Sequence, residues 1–205
     1  MVIILAPGPS VLFIIARAIA WGRATAIATV VGNALGVFLL SVLVALGLGP
    51  LLQRSEIAYG VVQWAGGAYL VYLGVQAIGQ RHLHAAEMSQ IKNGQAGHPT
   101  PRAAARDGFM IGVLNPKTLV FFAAVLPQFI DRERGQVTGQ LLFLGAFFVA
   151  MALISDATWG IIAGTARNWL GGERHRLVTL RTFGGLVMII LGALVIIAAT
   201  RNAFF

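Results

Sequence analysis

Cysteine is absent from this chain of 205 residues, and acidic residues are scarce, seven against fifteen lysines and arginines. The absence of cysteine excludes disulfides, thiolate metal sites and thiol-based electron transfer. Charged residues make up only 11% of the chain and hydrophobic residues 58%, with a mean hydropathy of +0.81. A soluble domain of this length carries far more polar surface. The sequence therefore predicts an integral membrane protein in contact with the lipid bilayer.

Catalytic and nucleic-acid functions find little support in the remaining polar residues. The net charge is +8, but the basic residues lie in short connections and form no stripe interleaved with aromatic residues, so no nucleic-acid partner is predicted. The four histidines fall in predicted loops, and no G-x-S-x-G motif occurs. His82 and His84, in "HLH", are interpreted as solvated loop residues rather than metal ligands. We expect no catalytic residues, no metal site, no cofactor and no cleaved signal peptide.

Six apolar runs each approach the roughly 20 residues that a helix needs to cross a bilayer. They lie near 1–20, 26–52, 57–79, 108–130, 141–166 and 183–200. Only eight residues precede Pro9, so the first span is expected to be short on its outer side. The sequence thus predicts one all-α membrane domain over 1–205, with six transmembrane helices: a first repeat at 1–79, an inner loop at 80–107 and a second repeat at 108–205. Its composition is compatible with a homo-oligomer.

The distribution of basic residues predicts the orientation. Ten lie in the first, third and fifth connections: Arg17, Arg23, Arg81, Lys92, Arg102, Arg106, Arg167, Arg174, Arg176 and Arg181. Four lie on the opposite side: Arg54, Arg132, Arg134 and Arg201. Both termini are therefore expected outside and the long loop in the cytoplasm.

The two halves resemble each other in sequence. "PSVLFIIA" at 9–16 matches "PKTLVFFA" at 116–123 at three of eight positions, and "GGAYLVYLG" at 66–74 matches "GGLVMIILG" at 184–192 at four of nine. Three spans per half place the second half upside down in the bilayer. Inverted repeats of this kind are typical of secondary transporters, whose substrate sites lie near the midplane at broken helices.

A helix break is predicted at the same place in each half. Pro7, Gly8 and Pro9 interrupt the first span, and Pro116 interrupts the fourth. Proline removes a backbone donor and clashes with the preceding turn, so each helix should kink or unwind there. A packing kink is the simpler reading, but paired breaks favour two functional hinges.

Lys117 and Asp156 are the two ionisable residues well inside predicted spans. Counted from the predicted inner face, each lies about 14–15 Å deep at 1.5 Å per residue, near the middle of a core roughly 30 Å thick. A charge at that depth costs at least about 2.5–3.5 kcal/mol on insertion scales. The alternative to a functional site is a structural ion pair, yet intramembrane charges usually mark a substrate or ion path.

Ser10, Asn33 and Asn115 are predicted to join these charges in a midplane cavity. A helix that restarts at Ser10 directs free N–H groups into the cavity, where they suit a carboxylate. An amino acid fits such a cavity, with its carboxylate on Lys117 or a helix N-terminus and its ammonium on Asp156. Four other polar or aromatic residues are expected to serve in packing or as interface anchors: Gln63, Trp64, Tyr69 and Tyr72.

The motifs "APGPS", "GGAYLVYLG" and "GFMIGVLNPKTLVFFAAVLPQFID" at 108–131 resemble the LysE/RhtB family of bacterial amino-acid exporters over nearly the whole chain. The resemblance implies a six-helix inner-membrane protein that exports amino acids or derivatives such as homoserine and its lactone, driven by the proton gradient. The family's proline-glycine-proline falls on Pro7, Gly8 and Pro9, and its asparagine-proline-lysine on Asn115, Pro116 and Lys117. Fewer residues precede Pro7 than is usual in that family.

We therefore expect a secondary exporter whose cavity is lined by Ser10, Asn33, Asn115, Lys117 and Asp156, with Asp156 as the proton carrier. One alternative is a divalent-cation exporter of the same superfamily. Hard cations are coordinated by several oxygen ligands, however, and only one carboxylate lies inside a predicted span. A second alternative is a membrane scaffold that transports nothing.

Overall fold

The computed structural model describes residues 8–80, 99–131, 133–165 and 174–204, and its regular elements in these ranges are all helical. The helices are α1 Pro9–Trp21, α2 Arg23–Arg54, α3 Glu56–Gly79, α4 Pro101–Val113, α5 Pro116–Val120, α6 Val137–Thr165 and α7 Arg174–Phe204. Helix α5 continues as a π turn over Phe121–Val125 and a 3-10 turn over Leu126–Phe129.

Four helices contain a stretch long and apolar enough to cross a membrane. These stretches are Arg23–Pro50 in α2, Gly60–Gly79 in α3, Val137–Thr165 in α6 and Thr182–Arg201 in α7. The bent pair of α4 and α5 supplies a fifth span if it is counted as one. Helix α1 is apolar but shorter, and residues 1–7 lie outside the described residues. An all-α, multi-pass membrane protein is thereby confirmed at this level.

Several connections are shorter than the sequence predicted. Helix α4 begins at Pro101, inside the predicted loop 80–107, because Thr100 caps it by accepting a hydrogen bond from the Ala103 N–H at 3.2 Å. Helix α7 likewise begins at Arg174 rather than near 183, so His175 is helical rather than in a loop. Arg17, counted among the loop residues, lies in α1. The predicted loop histidines at 82, 84 and 98 fall outside the described residues.

Both predicted breaks coincide with helix ends. The segments Pro101–Val113 and Pro116–Phe129 meet at about 40°, because Pro116 cannot continue α4 and instead occupies the first position of α5. Helix α1 begins at Pro9, directly after the extended residue Gly8. Pro7 lies outside the described residues.

Glycines bring α3 and α7 into close contact. A Cβ on Gly67 would lie 2.9 Å from the Gly192 carbonyl oxygen, and a Cβ on Gly192 would lie 2.5 Å from the Gly67 oxygen. Gly74 and Gly185 face each other in the same way, at 2.5 and 2.8 Å. Small residues of this kind let membrane helices approach closely. All four glycines belong to the two matching motifs at 66–74 and 184–192.

Helix α2 packs against α4 and α6 to form the centre of the bundle. Gly32 and Gly36 on α2 approach the α4 backbone so closely that no side chain would fit, and Gly108 and Gly112 on α4 do the same toward α2. Elsewhere, large apolar side chains face outward, among them Ile57, Phe143 and Ile154. An apolar exterior around a tightly packed interior is what a lipid-embedded bundle requires.

Candidate functional site

The five residues nominated from the sequence are all buried, each between 3% and 8% exposed. They come from separate elements: Ser10 from α1, Asn33 from α2, Asn115 and Lys117 from the break between α4 and α5, and Asp156 from α6. Their distance along the chain gives no reason for them to meet. The bundle nevertheless joins them through hydrogen bonds and through the charges of Lys117 and Asp156.

Asp156 is held by Asn33. The Asn33 side-chain amide donates a hydrogen bond from Nδ2 to Asp156 Oδ2 at 2.8 Å, across 123 residues of sequence. A charge buried at this depth is costly unless hydrogen bonds or opposite charges compensate it. Asn33 Oδ1 is also buried and has no hydrogen-bond partner among the described residues. Asn33 therefore supplies one donor to the carboxylate and keeps an unused acceptor beside it.

Asn115 connects the start of α1 to the start of α5. Its Oδ1 accepts hydrogen bonds from the backbone N–H groups of Lys117, at 3.1 Å, and Thr118, at 3.4 Å, and thereby caps α5. Its Nδ2 donates to Ser10 Oγ at 3.1 Å. Both atoms of the amide are thus occupied. The start of α5 is satisfied by its own cap, and the two proline motifs contact each other through this bond.

Lys117 passes its side chain over the extended backbone at the start of α1. A Cβ placed on Gly8 would lie 2.9 Å from Lys117 Cδ and 3.2 Å from Nζ. Glycine at position 8 therefore leaves the room that the ammonium group occupies. Lys117 also interacts electrostatically with Asp156. The sequence placed these charges at equal depth, and the fold brings them within electrostatic reach.

The beginning of α1 differs from that of α5. Gly8, at the N-cap position, gives no side-chain hydrogen bond, and Pro9 fills the first helical position. The first N–H groups of a helix lack acceptors inside it, and they carry the positive end of the helix dipole. The start of α1 therefore adds positive potential next to the Lys117 ammonium.

Lys117 and Gly8 open onto a pocket of about 50 Å³ between α1, α3 and α7. Its other walls include Leu12, Gln76 and Met188. Asp156 does not line the pocket in this conformation. Pattern analysis missed the α3 and α7 contributions, because these residues lie in apolar runs with no break or buried charge to mark them.

The other polar and aromatic residues considered in the sequence differ in how far they are buried. Gln63 is buried, whereas Trp64, Tyr69 and Tyr72 are exposed, with the two tyrosine rings 5.8 Å apart. The exposed aromatics fit the predicted anchor role, and Gln63 lies inside the bundle. Sequence analysis also passed over Ser155, whose buried Oγ has no hydrogen-bond partner among the described residues. No group of three or more metal-ligating side chains occurs in the described ranges.

A separate ion pair links α1 to α4. Arg17 donates from Nη2 to Asp107 Oδ2 at 2.7 Å, and their side chains are 11% and 32% exposed. The guanidinium lies over the rings of Phe13 and Trp21, at 4.7 and 4.9 Å from their centroids. Stacking and ion pairing together fix its orientation. The contact joins the start of the bundle to α4, 90 residues further along the chain.

Comparison with known proteins bears on this arrangement. The family model of the LysE type translocator matches residues 1–199. The homoserine/homoserine lactone efflux protein of Salmonella typhimurium is 32% identical over 202 residues, which cover 97% of this chain and 92% of that protein. The protein of the same name from Salmonella typhi is 33% identical with the same coverage. An uncharacterized membrane protein of Vibrio cholerae is 33% identical over 90% of this chain and 86% of its own length. No solved structure matches this chain.

Proposed function

The chain belongs to the LysE-type translocator family and is a membrane transporter rather than an enzyme, and from this premise we propose the cargo and the mechanism. It exports amino acids or derivatives of the homoserine and homoserine lactone type across the bacterial inner membrane, by proton antiport. The observation that carries this proposal is the buried pair of opposite charges, Lys117 and Asp156, at the contact between two broken helices.

A zwitterionic solute suits this pair because it brings one charge for each partner. Lys117 and the uncapped start of α1 bind the carboxylate, and Asp156 binds the ammonium. The solute thereby replaces the internal interaction between Lys117 and Asp156 with two interactions of its own. A lactone has no free carboxylate, but it keeps the ammonium for Asp156 and presents ester oxygens to Lys117. Ser10, Asn33 and Asn115 position these groups through the hydrogen bonds described above.

Proton coupling follows from competition at Asp156. A protonated carboxyl has no charge to attract an ammonium group, so a proton and the substrate exclude each other there. The site takes up a proton from the outside and releases the substrate to the outside. The proton and the substrate are never bound at the same time, so they cross the membrane in opposite directions. Asn33 suits both states, because its Nδ2 donates to the charged form and its free Oδ1 can accept from the protonated form after the amide rotates.

Alternating access uses the two halves as inverted repeats. The reciprocal glycine contacts between α3 and α7 support a pseudo-two-fold axis, since symmetry-related positions exchange their partners. The breaks at Gly8 and Pro9 and at Pro116 serve as the two hinges. Pro7 is assigned to the first hinge from the sequence. In this arrangement both termini lie outside the inner membrane and the long loop lies in the cytoplasm, as the basic residues indicate.

The proposal is tested by solute efflux from proteoliposomes under an imposed pH gradient. Asp156→Asn and Lys117→Gln should each lower homoserine flux by roughly 10- to 100-fold, the effect of losing a hydrogen bond to a charged group. The matched controls are Glu133→Gln and Arg102→Gln, which remove the same charges from exposed positions. Flux in the Asp156 variant that still rises with the pH gradient would exclude this residue as the proton carrier.

The same vesicles discriminate between the alternatives. Efflux of divalent cations but not of homoserine would favour a cation exporter. Correctly folded protein that moves neither solute would favour a scaffold. Reversing the pH gradient should slow homoserine export, whereas a uniporter would respond only to the homoserine gradient.

A further inference from the structure

Gln76 is the only side chain besides Lys117 that brings a polar group to the walls of the pocket, as far as the chain is described. It lies in the last turn of α3, where its side chain is exposed. Its side-chain amide makes no hydrogen bond to any described residue. An amide that lines a pocket and has no partner among the described residues can offer a donor and an acceptor to a ligand.

The rest of the pocket wall is apolar or backbone. Leu12 and Met188 are buried where they line it, and Leu73 completes the apolar side on the same helix as Gln76. No carboxylate from the described part of the chain lines the pocket. A cationic side chain placed there would lose its water without gaining a counter-charge, and it would be repelled by Lys117. A neutral side chain with one hydrogen-bonding group meets neither penalty.

We propose that Gln76 is a specificity-determining residue, which selects amino acids whose short, neutral side chain carries a hydroxyl, carbonyl or amide. This inference rests on the proposed function, because it assumes that Lys117 holds the carboxylate of the same solute. Lys117 and Gln76 line the same pocket, so the side chain of a solute held by Lys117 lies beside the Gln76 amide. Selectivity then arises from a hydrogen bond between the solute side chain and the Gln76 amide, which discriminates more sharply than apolar contact alone.

The test measures export of three probes, homoserine, leucine and lysine, loaded together into proteoliposomes of each variant. Gln76→Leu should lower the homoserine-to-leucine ratio by roughly 2- to 10-fold, the effect of losing one neutral hydrogen bond. Gln76→Glu should raise the lysine-to-homoserine ratio, since it supplies the missing counter-charge. Ratios taken within one preparation do not depend on how much protein folds. If one of the two Gln76 variants fails to insert into the membrane, the export ratios of the other variant still test the role of Gln76.

Gln80→Leu and Gln80→Glu are the matched controls, because Gln80 lies one turn after Gln76, at the C-cap of α3, and is not among the residues that line the pocket. Their ratios should equal those of the wild type. Unchanged ratios in both Gln76 variants, with the wild type exporting homoserine, would overturn the role of Gln76 and leave the proposed function standing. A wild type that exports none of the three probes would overturn the proposed function, and this inference with it.

Discussion

Alanine at Gly67 should force α3 away from α7, whereas alanine at Gly60, on the same helix, should not. A Cβ on residue 67 would lie 2.7 Å from Ile196 Cγ1 and 2.9 Å from the Gly192 oxygen. No heavy atom lies within 4 Å of a Cβ on residue 60. The two substitutions add the same methyl group to one helix and differ only in what it meets.

The size of the effect follows from these distances. Carbon atoms pack best about 3.5–4.0 Å apart, so the helices must separate by about 1 Å, a gap that forfeits up to half of the local attraction. Overpacking of this kind costs about 1–3 kcal/mol. Gly60→Ala should instead stabilise the helix by up to about 1 kcal/mol through its better helix propensity. The two variants are therefore expected to change the free energy of unfolding in opposite directions.

Thermal unfolding of the purified protein in detergent measures the difference. Gly67→Ala should lower the Tm by about 2–12 °C, at 2–4 °C for each kcal/mol in a protein of this size. Gly185→Ala should lower it equally, because its Cβ would lie 2.6 Å from Ile78 Cγ1 and 2.8 Å from the Gly74 oxygen, nearly the same surroundings. If Gly67→Ala is as stable as Gly60→Ala, the α3–α7 contact is wrong. If the Gly67 and Gly185 variants differ strongly, the pseudo-two-fold relation fails.

Two further predictions concern polar contacts between helices. Asn33→Leu should destabilise the protein by about 1.5–3 kcal/mol by removing a hydrogen bond to a charged group, and by much less in an Asp156→Asn background; thermal unfolding of the single and double variants measures this, and equal costs in both backgrounds would contradict the contact. Arg17→Ala and Asp107→Ala should each lower stability, with a coupling energy of about 1 kcal/mol, the upper end for partly exposed pairs. A double-mutant cycle measures that coupling, and strictly additive effects would mean that the 2.7 Å ion pair contributes nothing.

Helix boundaries show where sequence patterns succeed and where they do not. The predicted span 57–79 agrees with Glu56–Gly79, because α3 is bounded by the cap Ser55 and by a polar segment. The predicted start of the fourth span at 108 is seven residues late, because α4 extends into a polar segment. Hydropathy indicates which residues contact lipid. Helix α4 nevertheless extends beyond its apolar part, because Thr100 caps it and Pro101 is favourable at its first position. Helix formation depends on backbone hydrogen bonds as well as on hydropathy.

The five residues nominated from the sequence are buried, but the contacts among them could not be predicted. A proline or a charged residue inside an apolar run is evident from the sequence. Pro116, Lys117 and Asp156 could be nominated because each is energetically costly in such a run. Gln76 carries no such cost at the end of a helix, and only the packing of α3 beside α1 and α7 places it in the pocket. Equal depth of two charges follows from counting residues, whereas their approach depends on how the helices pack.

By itself, the sequence determined that the chain is a helical membrane protein, where its helices break and which family it resembles, because each of these depends on local composition or motif. The tertiary structure decided that Asn33 donates a hydrogen bond to Asp156 at 2.8 Å, and that a hydrogen bond from Asn115 to Ser10 links the two proline motifs. It also decided that the repeated glycines face one another across α3 and α7. These are contacts between residues far apart in the chain, and they form only when the close approach of whole helices selects which side chains meet.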